Sequence, residues 1–212
     1  KDSKLLRSIF LSKVELSSRK IDKPIILYGA GSLGKMAKQF LDHLGIPFLY
    51  AIDKNADRYK TEEHWRGTNI IYPSDVKESD KKNCLLVVCI VTVPISKLLA
   101  ELRNNGWADI VPFYDISETY HSRYPLSNGW FLGKFSQQEK NSIEKVFNLL
   151  ADDVSRAFYV QFLAWRRLRT ELLFDNLEIN NNNRFFIPEI TGILQENEVF
   201  VDCGAHEGSV TE

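Results

Sequence analysis

Six residues constrain this chain's fold more than any others: Gly29-Ala30-Gly31-Ser32-Leu33-Gly34, set between the apolar run Ile25 to Tyr28 and an amphipathic stretch. A strand that turns at once into a helix needs a residue without a Cβ in the turn. It needs a second where a ligand approaches the backbone, and a third where the helix packs on the strand. GxGxxG supplies them in that order. Amides at the helix start are then placed to meet a phosphate. Leu33, Met36, Ala37, Phe40, Leu41 and Leu44 make one helical face, and Gly45 stops it. Asp53 closes the next apolar run, Pro47 to Ile52, 19 residues after Gly34, close to the spacing of a ribose-binding acid. Gly29, Gly31, Gly34 and Asp53 are therefore candidate nucleotide-binding residues, with a nucleotide or nucleotide-sugar as ligand. The alternative is a turn that binds nothing.

The same alternation continues to about Ser117. Strands are expected at Ile25 to Tyr28, Pro47 to Ile52, Asn69 to Tyr72, Leu85 to Val91 and Ile110 to Tyr114, with a helix from Ile95 that begins on Pro94. Strands alternating with helices imply an α/β fold, a Rossmann-like parallel sheet of about five strands in order 3-2-1-4-5. Leu85 to Val91, apolar throughout, belongs in its interior. Residues 3 to 17 read as an amphipathic helix from Leu5, Leu6, Ile9 and Phe10, and residues 118 to 134 as a connection across the surface. Ser136 and Glu139 have capping-box spacing ahead of Ile143, Val146 and Phe147. A further helix runs from Asp152 or Asp153 through Trp165 to Leu172, and Asn180 to Asn183 form a loop.

Composition excludes several classes of function. The 27 basic and 28 acidic residues leave a net charge of -1, so no overall field points to nucleic acid. Arg166, Arg167 and Arg169 read as the solvated side of a helix, offset by Glu171 and Asp175. Cys84, Cys89 and Cys203 lie in apolar runs and suit buried thiols in a cytoplasmic protein. Leu85 to Ile95 is too short to span a bilayer and is broken by Pro94. His43, His64 and His121 lack metal-ligand spacing, so no metal site is expected. No residue is assigned a catalytic role.

Two resemblances follow from longer segments. Asp53-Lys54-Asn55-Ala56-Asp57-Arg58, Gly67 and Ile70-Ile71-Tyr72-Pro73-Ser74-Asp75 are similar to the N-terminal Rossmann-like domain of sugar-modifying acyltransferases of the PglD type. That domain also occurs in multidomain sugar-biosynthetic proteins, where it handles nucleotide-sugars or has no assigned ligand, and it is not typically a hydride-transfer site. Phe185-Phe186-Ile187-Pro188-Glu189 and Glu198-Val199-Phe200-Val201-Asp202-Cys203-Gly204-Ala205-His206-Glu207-Gly208 resemble the entry to the FkbM family of S-adenosylmethionine-dependent methyltransferases. Leu149 to Arg156 resembles the helical segment preceding that domain. The resemblance implies that Asp202, Gly204 and Gly208 form part of an S-adenosylmethionine site. His206 stands where many methyltransferases carry another glycine.

The expected organisation is an N-terminal helix over 1–22, a Rossmann-like domain over 23–130, a helical connector over 131–195, and the first strand of a second α/β domain over 196–212. The family resemblance implies a full-length enzyme that O-methylates a sugar or glycoconjugate, and residues 1–212 inactive alone because the cofactor's ribose-binding acid would follow the next strand. Its partners would be a small-molecule or glycan substrate, without nucleic acid or a membrane span; a homodimer is compatible with the sequence. The alternatives are a nucleotide-sugar-binding or scaffold domain without catalysis, and an NAD(P)-dependent oxidoreductase.

Overall fold

The computed structural model describes residues 4–13, 19–126, 133–174, 191–195, 197 and 199. Five strands, β1 (Ile25–Tyr28), β2 (Phe48–Ile52), β3 (Ile70–Ile71), β4 (Leu85–Val88) and β5 (Ile110–Pro112), form one parallel sheet in the order β3-β2-β1-β4-β5. The helices are α1 (Lys4–Leu11), α2 (Ser32–Leu44), α3 (Ala56–Lys60), α4 (Glu78–Asn83), α5 (Ile95–Asn104), α6 (Phe113–Thr119), α7 (Gln137–Leu149) and α8 (Asp153–Leu168). The expected fold class and strand order are those observed.

Alternation along the strands divides the core into two layers. Ile25, Leu27, Leu85, Val87 and Val111 face Ala37, Phe40 and Leu41 of α2 and Phe113 and Ile116 of α6. Ile26, Ile52, Leu86 and Val88 face Leu98 and Leu102 of α5, with Trp107 beside them. All four residues of β4 are buried because the strand has neighbours on either side and apolar layers on both faces. A third cluster joins Leu6 and Ile9 of α1 to Val160, Leu163 and Ala164 of α8, with Phe135, Ile143 and Phe147 packed against it.

Several elements differ from expectation in instructive ways. β4 stops at Val88, and Val91 and Val93 are exposed in the loop that follows. β5 stops at Pro112, which has no N–H for a ladder and stands at the N-cap of α6. Phe113 and Tyr114 therefore enter a helix, and Tyr120, Tyr124 and Leu126 fold back onto the first layer instead of crossing the surface freely. α1 ends at Leu11, and residues 3 and 14–17 of the expected helix lie outside the described residues. α8 ends at Leu168, four residues early, where Arg169 takes a left-handed conformation with φ 53°. The Asn180–Asn183 loop lies outside the described residues.

Contacts divide the chain into two compact units, Lys1–Leu173 and Phe174–Glu212. Every element named above belongs to the first. Among the described residues no helix is long and apolar enough to cross a membrane.

The capping box at α7 forms as its spacing predicts: Ser136 Oγ accepts from the Glu139 N–H, and the Ser136 N–H donates to the Glu139 carboxylate at 2.7 Å. Ser136→Ala is expected to cost about 1 kcal/mol in urea unfolding. An unchanged midpoint would show that packing alone sets the start of this helix.

Candidate functional site

The glycine loop sits at the carboxyl ends of β1 and β2, and its three glycines are not equivalent. Gly29 has φ +107°, and its N–H donates to the Ile52 carbonyl at 2.8 Å. A Cβ there would stand 2.9 Å from the Cys89 carbonyl oxygen. Gly34 lies under the strand end, where a Cβ would fall 2.1 Å from the Gly29 carbonyl oxygen. Backbone geometry alone demands glycine at both positions. Gly31 is different: its φ of -71° suits any residue, and a Cβ would meet only the Tyr59 hydroxyl, at 3.6 Å. Neither strain nor packing among the described residues explains it.

Asp53 is brought to this loop as its spacing predicts, and it has a structural task there. One carboxylate oxygen accepts from the Ala30 N–H at 2.8 Å, the other from the Asn55 N–H at 2.8 Å. The acid thus fastens the turn after β1 to the end of β2. Each oxygen keeps a further lone-pair direction, so a ribose hydroxyl can still donate to it.

Trp65 completes the support and was not foreseen. Its indole N–H donates to the Ala30 carbonyl at 3.1 Å, and its ring is 1% exposed, against Gly34. Both backbone groups of Ala30 are therefore engaged, and the loop is held in one shape before any ligand arrives. The available signal was a single large apolar residue amid Glu62, Glu63 and Arg66. Lys35 pairs with Glu62 at 2.5 Å, and the Lys35 carbonyl lies 3.2 Å from His64 Nε2.

No side chain caps the start of α2. The Lys35 N–H bonds the Gly31 carbonyl at 2.9 Å, so the amides of Ser32, Leu33 and Gly34 precede the first intrahelical bond. They point out of the helix end with the positive end of its dipole. Such a site can hold an anion, and Asp53 beside it can accept from a diol. Nucleophilic chemistry has less support. Burial pushes the Cys89 thiol far up, away from the reactive thiolate. The Tyr28 phenol is raised by burial first, then by Asp53 and Glu101, and stays protonated. Among the described residues no group of His, Cys, Asp or Glu could hold a metal ion.

The second set of candidates, Asp202, Gly204 and Gly208, lies outside the described residues, as does Cys203. The arginine reading needs correction. Arg167 is 4% exposed, and Arg169 stacks at 3.7 Å on the Trp165 ring. Arg169 also donates through Nε and Nη2 to Asp115, at 3.2 and 3.0 Å. The end of α8 is packed against the region where β5 meets α6, which desolvates side chains that a helical wheel places outside. Glu171 follows suit by accepting from the Ile95 and Ser96 N–H groups at 3.1 and 2.8 Å, capping α5, where Pro94 supplies no side-chain cap.

Comparison with protein-family models, curated proteins and solved structures finds no match in any of the three.

Proposed function

We propose that the unit over residues 1–173 binds a nucleotide or nucleotide-sugar at the Gly29–Gly34 loop, and that it serves a cytoplasmic FkbM-type methyltransferase. The observation that supports binding is Gly31, the one loop glycine that the protein's own backbone does not require. It adjoins an uncapped helix start and an acid with acceptor capacity to spare. In this reading the phosphate lies against the Gly31 to Gly34 amides, and Asp53 receives the ribose hydroxyls.

The methyltransferase part is supported by the resemblance of residues 198–211 to the FkbM entry segment. There Asp202, Gly204 and Gly208 would hold the methionine end of S-adenosylmethionine, which supplies the methyl group when bound. The acceptor is a sugar or glycoconjugate hydroxyl. Equilibrium dialysis with labelled S-adenosylmethionine tests this: micromolar binding lost in Gly31→Val would assign that cofactor to the first loop instead.

Calorimetry against uridine diphosphate sugars, adenine nucleotides and NAD tests the binding reading. Gly31→Val is expected to abolish binding by placing a side chain where the phosphate approaches, with the thermal midpoint little changed. No heat with any of these ligands would leave the loop a structural turn.

A further inference from the structure

A cavity of about 320 Å3 lies on the α5 side of the sheet, lined among others by Tyr28, Ile52, Pro73, Ser74, Val76 and Asn105. Beside it runs α4, which is only six residues long and buries none of them. The cavity's volume falls within the range of small-molecule sites.

We propose that this cavity receives the nucleobase of the nucleotide whose phosphate lies at Gly31, an inference that rests on the binding reading above. Position is the first support. Tyr28 and Ile52 are register partners at the last positions of β1 and β2, and both line the cavity. The residues that follow them, Gly29 and Asp53, belong to the glycine-loop site. Adjacent strands are about 4.8 Å apart. The phosphate cradle and the ribose acceptor thus adjoin the Tyr28–Ile52 end of the cavity, while Asn105 and Trp107, just after α5, line its far end toward the start of β5.

Lining chemistry is the second support. Ile52, Pro73 and Val76 give apolar walls for a flat ring, while the Asn105 amide offers a donor and an acceptor, and Tyr28 and Ser74 offer hydroxyls. Lys81 borders the cavity but already pairs with Glu78 at 2.6 Å. Its charge is answered, so the cavity suits a neutral heterocycle with polar edges better than a second phosphate.

The test uses the whole chain with UDP and ADP as probes, and pyrophosphate and ribose 5-phosphate as base-free controls. Ser74 is exposed, so Ser74→Trp fills the cavity without entering the core. It is expected to weaken UDP and ADP at least tenfold and leave the controls within twofold. Asn105→Ala, which opens space, is expected to change the preference between UDP and ADP. If both variants leave UDP and ADP unchanged while Gly31→Val abolishes them, the base lies elsewhere and only the loop reading survives. Equal loss of probes and controls in Ser74→Trp would mark a disturbed loop and overturn the inference. If the wild type binds none of the four, the loop reading falls, and this one with it.

Discussion

Gly34→Ala is expected to destabilise the chain by about 3 kcal/mol or more, while Gly31→Ala, three residues away, stays within about 1 kcal/mol of the wild type. The contrast comes from what each new methyl group would meet. At Gly34 it would fall 2.1 Å from the Gly29 carbonyl oxygen, a backbone atom that no rotamer change can move aside. Gly29 is itself fixed, because its N–H is tied to Ile52 and Asp53 holds the next amide. Relief requires α2 to move away from β1, and α2 carries Ala37, Phe40 and Leu41 into the first core layer. At Gly31 the methyl group would meet only the Tyr59 hydroxyl, at 3.6 Å, an ordinary contact. Urea unfolding of both variants checks this. A comparably large loss at Gly31 would show that its glycine is structural, and would remove the main support for a ligand at this loop.

The sheet was legible because its signals are local. GxGxxG, Gly45 and the apolar runs each report on a few consecutive residues, and together they fix the strand order. The errors have the same origin. Val91 looks like the continuation of Val87 and Val88, and Phe113 like that of Val111, since an apolar run does not show where its backbone turns. The supports of the site were hidden for a different reason. Trp65 meets Ala30 across 35 residues, Arg169 meets Asp115 across 54, and Glu171 meets Ser96 across 75. Such pairings depend on the strand order and on where α8 lies, and no spacing rule along the chain encodes them. Asp53 shows both sides: its spacing marks the residue, but only in the fold do the Ala30 and Asn55 amides come to its carboxylate.

Arg169→Ala is expected to cost about 2 kcal/mol at neutral pH and less in mild acid. Removing one partner of a desolvated pair leaves the other charge poorly answered, which costs about 3 to 5 kcal/mol when burial is complete. Here the Asp115 side chain is 27% exposed and the Arg169 side chain 10%, which lowers the figure. The pH dependence follows from Asp115. Burial raises its carboxyl above the usual carboxylate range, against the opposing pull of Arg169. A raised folded pKa means that the folded state takes up a proton more readily than the unfolded one. The Asp115 contribution is therefore most favourable at low pH and falls away as pH rises through its folded pKa. Arg169 is what makes the ionised form tolerable, so the variant suffers most where Asp115 is charged. Asp115→Asn in the same chain should recover part of the loss at neutral pH and almost none in acid. Arg169→Gly separates charge from backbone, because the φ of 53° costs alanine about 1 kcal/mol that glycine escapes. The glycine variant should accordingly be the more stable of the two. Thermal melts from pH 7 toward about pH 4 decide the matter: an Arg169→Ala loss that is constant across that range would mean that stacking on Trp165, not the pairing with Asp115, holds the end of α8 in place.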